Sequence, residues 1–210
     1  MPPQRLLGQT HWGPDELSAY CGRCGHSVVN HARECHWDDA RVLPCSHVIR
    51  LGSYQEPLSS WIREFKFRQW VGMGERLGEL LGRRSRDCLG RLEFSMDCVV
   101  PVPMPFMRRH SRGIDHARVL AKEVATQTQL PIRRVIRQRH GPSLVSGPFV
   151  RRHRRPNPFQ PSGRGKLTKG KNILLVDDVL TTGSTCRAAC RILRSMGCRR
   201  IVLAVVAVSE

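Results

Sequence analysis

The chain has 210 residues, of which 35 are lysine or arginine and 17 are aspartate or glutamate, and its formal net charge is +18. The longest apolar run, Ile201 to Val208, is too short to span a membrane, and the N-terminal stretch lacks the apolar core of a secretory signal. We therefore expect a cytoplasmic protein of one ordinary domain plus a small appendage, with its nine cysteines reduced.

The positive charge is concentrated in one part of the chain. Residues 1–60 carry five arginines and six acidic residues, whereas residues 124–176 carry nine arginines, three lysines and no acidic residue. Such a stretch favours phosphate-rich partners, either a polyphosphorylated small molecule or a nucleic-acid backbone. A solvated basic loop is the alternative interpretation.

The N-terminal part of the chain is predicted to be a poorly ordered lead-in, residues 1–20, followed by a cysteine-rich, zinc-ribbon-like module, residues 21–50. Structural zinc takes four ligands, mostly sulfur and imidazole. Two thiolates with zinc-knuckle spacing and a third further along supply three candidate ligands: Cys21, Cys24 and Cys35. The fourth ligand is predicted to be Asp38, with Cys45, His36 and His31 as alternatives. The alternative is a module that folds without metal.

Residues 51–210 are predicted to form one α/β domain. The predicted helices cover Leu58 to Phe65, Leu77 to about Gly82, His116 to Gln129 and Thr185 to Met196. The predicted strands cover Cys98 to Val102, Ile173 to Val176 and Ile201 to Val208. Continuously apolar strands that alternate with helices are typical of a parallel sheet covered on both faces. The basic segment of about 138–171 is predicted to be a β-ribbon or a flap.

The most informative stretch is ILLVDDVLTTGST, residues 173–185. Asp177 and Asp178 follow a buried strand, at the edge where open α/β sheets bind ligands. A loop of small residues then begins a helix, where N–H groups, hydroxyls and the helix N-terminus favour phosphate: Thr181, Thr182, Gly183, Ser184 and Thr185. Carboxylates beside a phosphate cradle suit a phosphorylated sugar. The alternative is an acidic turn followed by an ordinary Ser/Thr helix cap.

The order of strand, acid pair and Thr-Thr-Gly loop resembles the 5-phosphoribosyl-1-pyrophosphate (PRPP) motif of type I phosphoribosyltransferases. More narrowly, the chain resembles the competence protein ComF family from about residue 21 to the end. The resemblance includes the N-terminal cysteines and the stretches LGSYQEPLSSWIREFKF (51–67), VVPVPMPFMRRHSRGIDHARVLA (99–121), RRHRRPNPF (151–159) and LLVDDVLTTGST. It implies a phosphoribosyltransferase-type parallel sheet flanked by helices, with the small zinc-binding module at the N-terminus.

Carried over by position, the resemblance implies roles for individual residues. Asp177 and Asp178 would hold the ribose hydroxyls of PRPP, Asp177 being the best candidate for a general base. The loop from Thr181 to Thr185 would hold the 5-phosphate. Arg109 and Arg112 would meet the pyrophosphate, because a guanidinium group can bind phosphate oxygens through two hydrogen bonds. The chain departs from the family at Ile114-Asp115-His116, where a Phe-Asn-Gln-like sequence is usual.

Two functions follow from the resemblance. The first is PRPP binding with Mg²⁺ and phosphoribosyl transfer, a glycosyltransferase reaction, linked to competence and DNA uptake. The second is a non-catalytic accessory protein of natural transformation that binds single-stranded DNA or proteins of the competence machinery. The acid-free stretch of residues 124–176 favours the second function, because it carries more charge than one pyrophosphate needs. The two functions are compatible, and the acceptor nucleophile stays open.

Overall fold

The computed structural model describes residues 12–28, 43–104, 113–139, 157–163 and 168–210. Within these ranges the strands are β1 (His47–Ser53), β2 (Cys98–Pro101), β3 (Ile136–Gln138), β4 (Phe159–Pro161), β5 (Asn172–Leu180) and β6 (Arg200–Val208). The α-helices are α1 (Leu58–Phe67), α2 (Val71–Leu89), α3 (His116–Thr128) and α4 (Ser184–Ser195). None of these helices combines the length and apolar character that a membrane-spanning helix requires.

The central sheet is parallel, with the strand order β1-β6-β5-β2. Ile132 extends the β2 edge through a parallel bridge to Val99. The α/β fold with a parallel sheet, predicted from the apolar strands, is confirmed. β1 was not among the predicted strands; it crosses position 50, the predicted end of the cysteine-rich module, and pairs with β6 along its length. β3 and β4 form a separate antiparallel pair, with β3 at the start of the basic segment and β4 within it.

Helices cover both faces of the sheet. On β5, Leu174 and Val176 pack into the core beneath α1, α2 and α3, whereas Ile173 and Leu175 pack beneath α4 and the β3–β4 pair. Because neither face of the strand meets water, apolar residues occupy successive positions rather than alternate ones. This arrangement leaves the ends of the strands as the places where polar side chains reach solvent.

Helix α2 is longer than its sequence pattern indicated. The sequence analysis ended this helix near Gly82, but the helix continues to Leu89. A Cβ atom at Gly78 would lie 2.9 Å from Cβ of Glu123 in α3, and one at Gly82 would lie 2.7 Å from Cβ of Gln127. These glycines therefore serve the close approach of α2 to α3 and do not end the helix, although glycine lowers helix stability by about 0.5–1 kcal/mol.

Residues 12–28 pack against β1 around the buried Arg50. One guanidinium nitrogen of Arg50 lies 2.7 Å from Oδ2 of Asp15, and the other lies 2.6 Å from Oε1 of Glu210. Burial by itself would raise the pKa of Glu210, but hydrogen bonds from Arg50 and Ser27 outweigh this effect and lower it to about 2. The described part of the predicted lead-in is thus joined to β1 by the ion pair between Asp15 and the buried Arg50, and Glu210 is the second carboxylate partner of Arg50.

Candidate active site

The site lies where β5 extends beyond its neighbour β2. The pairing of β2 with β5 ends at Pro101 opposite Val176, whereas β5 continues to pair with β6 as far as Leu180. The strand predicted from Ile173 to Val176 is therefore longer than expected, and Asp177 and Asp178 belong to it. On the β2 side of this stretch no strand among the described residues pairs with β5, so the two acids lie at an open edge.

The two carboxylates of the acid pair are held differently. Oδ1 of Asp178 accepts a hydrogen bond of 2.6 Å from the N–H of Val179, and Oδ2 lies 2.9 Å from Nζ of Lys66. Oδ1 of Asp177 accepts a hydrogen bond of 2.9 Å from the N–H of Asp178. Lys66 stands in the last turn of α1, and sequence reasoning gave it no role. Its only signal was its position near the end of the family-like stretch 51–67.

The electrostatic surroundings favour protonation of Asp177. Burial raises the pKa of Asp177 well above the ordinary range of an aspartate, and the neighbouring charge of Asp178 raises it further. The charge of Lys66 opposes this rise, whereas that of Asp115 adds to it. Asp115 caps the N-terminus of α3 by accepting a hydrogen bond of 3.2 Å from the N–H of Arg118. One residue of the stretch in which the chain departs from the family pattern thus acts electrostatically on Asp177.

The phosphate cradle is the turn of residues 181–183 together with the first turn of α4. Gly183 has φ of +70°, and a Cβ atom there would lie 2.8 Å from Cδ2 of Leu43, so conformation and space both require glycine. The guanidinium of Arg187 donates a hydrogen bond of 2.6 Å to the carbonyl of Thr182 and braces the turn. The N–H groups at the start of a helix have no partners within the helix, which makes this end suitable for an anion.

Most of the predicted sugar-phosphate residues line one small cavity: Asp177, Thr181, Gly183, Ser184 and Thr185. Asp178 is next to this cavity in the strand, and Thr182 lies within the turn, where its hydroxyl donates a hydrogen bond of 3.2 Å to Oγ of Ser184. The structure therefore brings the acid pair and the cradle together at one edge of the sheet. Arg109 and Arg112, assigned to the pyrophosphate, lie outside the described residues.

The cysteine-rich module is described in part. Cys21 and Cys24 stand in a tight turn, closed by a hydrogen bond of 2.7 Å from the N–H of Gly25 to the carbonyl of Cys21. Cys45 lies in the core beneath α4, where a hydrogen bond with the thiol of Cys186 lowers its pKa. Among the described residues no three cysteine, histidine or acidic side chains form a metal-sized cluster, so Cys45 does not complete a set with this turn. The other predicted ligands, Cys35 and Asp38, lie outside the described residues.

A second concave surface, which we call the basic groove, lies between α3 and residues 132–134. It has a volume of about 710 Å³ and is lined by exposed basic residues and partly buried apolar ones: Arg118, Lys122, Arg134, Ile114, Val119 and Ile132. Asp115 also lines the groove, and its charge raises the pKa of Asp177. Sequence reasoning did not single out Arg118 or Lys122, because the helix pattern of α3 showed only its apolar face.

We predict that Asp177→Asn stabilises the protein at neutral pH. Aspartate in the unfolded chain titrates near pH 4. Because the pKa of Asp177 is higher in the folded protein than in the unfolded chain, the folded state loses stability as the pH rises above about 4. Asparagine does not titrate, so Asp177→Asn removes this loss. Urea unfolding should show the variant more stable than the wild type by about 1–3 kcal/mol at pH 7.5, with a smaller gap at pH 4.

The control is Asp178→Asn, which should destabilise the protein at pH 7.5 because it removes the partner of Lys66. A stability gap between Asp177→Asn and the wild type that does not change with pH would contradict the assigned electrostatics.

Comparison with known proteins gives one family. The family described as phosphoribosyl transferase domain matches residues 99–209. Competence protein F of Haemophilus influenzae is 27% identical over 186 residues, which cover 87% of this chain and 81% of that protein. The adenine phosphoribosyltransferase of Kineococcus radiotolerans is 49% identical over 41 residues, covering 20% of this chain and 22% of that protein.

Similar solved structures include an allosteric regulatory enzyme of purine biosynthesis, with a TM-score of 0.46 and 16% identity; the match covers 69% of this chain and 30% of that one. The purine phosphoribosyltransferase from Pyrococcus horikoshii Ot3 gives a TM-score of 0.42 and 17% identity, covering 64% of this chain and 72% of that one.

Proposed function

Because this chain belongs to the phosphoribosyl transferase domain family and is ComF-like, we propose that it binds PRPP at the acid pair and the phosphate cradle and transfers the phosphoribosyl group. The observation that carries the proposal is the single cavity at the open edge of β5, which Asp177 shares with the first turn of α4. A sugar hydroxyl and a phosphate on one small molecule need acceptors and donors placed side by side in this way.

Each part of the site has a chemical task in this proposal. The carboxylates accept hydrogen bonds from the two ribose hydroxyls, and the N–H groups and hydroxyls of the cradle donate to the 5-phosphate. Asp177 is also the candidate general base, because its raised pKa makes the ionised carboxylate a stronger base for the proton that the acceptor loses. The chain otherwise contributes positioning and charge stabilisation at C1, where the bond to pyrophosphate breaks as the bond to the acceptor forms.

Magnesium fits this site as a companion of the substrate. Mg²⁺ prefers oxygen ligands, keeps several waters and is commonly bound through substrate phosphates. Both oxygens of Asp178 already have protein partners, so the pyrophosphate is the better source of ligands. Bound there, Mg²⁺ would neutralise the charge of the leaving pyrophosphate. The chain's own residues hold the ribose and the 5-phosphate.

We predict that the wild type binds PRPP only in the presence of Mg²⁺ and that Asp178→Asn and Gly183→Val each weaken binding at least about tenfold. The first change weakens an acceptor for the ribose hydroxyls, and the second forces a side chain against Leu43 and distorts the cradle. Titration calorimetry measures both affinities. Asp87→Asn is the matched control, because this carboxylate is exposed on α2 away from the site.

Wild-type protein that shows no magnesium-dependent binding of PRPP would refute the proposal. Transfer is tested separately by incubating the protein with PRPP and a panel of bases and amines and measuring pyrophosphate release. Release with one acceptor class identifies the acceptor, whereas binding without release under every condition favours a role limited to binding.

We also propose that Cys21, Cys24, Cys35 and Asp38 hold a structural zinc ion. What supports this is the turn of Cys21 to Gly25, which presents two thiols at knuckle spacing and is docked on β1. The N–H of Val48 donates a hydrogen bond of 2.6 Å to the carbonyl of Gly22. Bound zinc would join this turn to the segment that follows it.

We predict close to one zinc per chain in freshly purified, reduced protein, measured by metal analysis. Cys21→Ser should lose the metal and unfold the module first, because metal binding contributes folding free energy there. Cys98→Ser is the control, since that thiol lies in β2, in the core beneath α4, and should not affect the zinc content. Full-length protein without zinc would contradict the proposal.

The second candidate function is binding of single-stranded DNA, and the basic groove is the observation that favours it. Its cations Arg118, Lys122 and Arg134 can contact backbone phosphates, while its partly buried apolar side chains can contact bases. The groove has the volume of a small-ligand site, and Asp115 in its lining acts electrostatically on Asp177. A strand bound in the groove would therefore lie within the electrostatic influence of the acid pair.

We predict that replacing these three cations by serine lowers the affinity for single-stranded DNA and flattens its salt dependence. With roughly 0.7 of a log–log unit per phosphate contact, the slope should become shallower by about two units. Fluorescence anisotropy across a salt series measures both quantities. The control replaces Arg83, Arg86 and Arg91 by serine, which removes the same charge elsewhere. If the control weakens DNA binding equally, net charge rather than the groove is responsible.

A further inference from the structure

Lys66 contacts the acid pair from the helical layer, and neither the motif nor the family resemblance assigned it a role. Its ammonium group lies 2.9 Å from Oδ2 of Asp178, and the two side chains are each only 17% exposed. By comparison, both partners of the ion pair between Arg63 on the same helix and Glu56 are mostly exposed. Lys66 is thus held against the site and does not extend into solvent like its neighbours on α1.

Each oxygen of the Asp178 carboxylate has one protein partner, and each keeps a lone pair that can accept a hydrogen bond from a sugar hydroxyl. The N–H of Val179 fixes Oδ1, and Lys66 fixes Oδ2, so the plane of the carboxylate is set by one backbone donor and one side-chain donor. Removing Lys66 leaves only the backbone contact, about which the carboxylate can turn. A carboxylate that accepts hydrogen bonds from a sugar must keep a fixed orientation, because a hydrogen bond weakens steeply when it is misaligned.

We propose that Lys66 is a positioning residue for sugar binding, which sets the orientation of the Asp178 carboxylate toward the ribose hydroxyls. This role rests on the proposed function. Lys66 acts through Asp178 and not by contacting the pyrophosphate, because its ammonium group already points at the carboxylate and helix α1 ends one residue later. The sugar site is therefore built from two layers of the fold, the strand and helix α1.

The charged groups around Lys66 and the acid pair support this role. The charge of Asp115, at the start of α3, raises the pKa of Asp177. Arg187 on α4 is engaged with the carbonyl of Thr182 in the cradle. Among the described residues Lys66 is consequently the cation that forms an ion pair with the acid pair. Without it, the two adjacent carboxyl groups would have no cation in contact among these residues.

The test compares two ligands that share the sugar but differ in the pyrophosphate: PRPP and ribose 5-phosphate, each with Mg²⁺. We expect Lys66→Met to weaken both ligands by at least tenfold and to a similar extent, and Lys66→Arg to restore affinity to within about threefold. Arg63→Met is the matched control on the same helix and should change neither affinity. In an Asp178→Asn background Lys66→Met should cause no further loss, because the residue it acts through is already altered.

Several results would overturn this role. A loss confined to PRPP would show that Lys66 contacts the pyrophosphate directly. If Lys66→Met lowers the melting temperature but leaves both affinities unchanged, the ion pair is only a structural link between α1 and β5. If Lys66→Met weakens binding as much in the Asp178→Asn background as in the wild type, Lys66 does not act through Asp178. If Lys66→Met does not fold, Lys66→Gln carries the same comparison.

The proposed function fails in a different way. Wild-type protein that binds neither ligand overturns PRPP binding and the role of Lys66 together. Wild-type binding that Lys66→Met leaves intact overturns the role of Lys66 alone.

Discussion

The difference in length between β2 and β5 determines where chemistry can take place in this molecule. β5 keeps its hydrogen bonds to β6 as far as Leu180, while its pairing with β2 ends at Val176. Beyond Val176 the edge of β5 that faces β2 is open, although β5 is a central strand of the sheet. Before Val176 both faces of β5 are buried beneath helices. Asp177 and Asp178 occupy this open stretch, and α1, α3 and α4 each bring a further charged or polar group to it.

The charge of this edge differs from that of the whole protein. The chain carries a formal net charge of +18, yet Asp177 and Asp178 lie together at the end of β5, the charge of Asp115 acts on Asp177, and Lys66 is the ion-pair partner of Asp178. In the proposed function, the cradle would hold a phosphate group and the carboxylates would hold sugar hydroxyls. The positive field would attract an anionic ligand to the surface, and the local acids would favour ligands that also carry hydroxyl groups.

The sequence was most informative where the determinants are local. The apolar strands predicted the parallel sheet, and the order of acid pair and cradle could be read because these residues are contiguous from 173 to 185. Strand β1 was missed because Arg50 interrupts its apolar pattern, and the partners that make its burial possible, Asp15 and Glu210, lie near opposite ends of the chain. Gly82 was misleading because its role depends on the distance to α3. Lys66 could not be found by spacing, since its partner lies far along the chain.

The most direct test of PRPP binding at the edge of β5 follows individual backbone amides by NMR while PRPP and Mg²⁺ are added. The account predicts that the largest shifts fall on Asp178, Val179 and the amides of residues 181–186, where hydroxyl and phosphate groups would change the hydrogen bonding. Amides of α2, such as those around Asp87, should stay unchanged. Saturable binding of PRPP that shifts the amides of the basic groove and leaves the cradle unaffected would contradict the account.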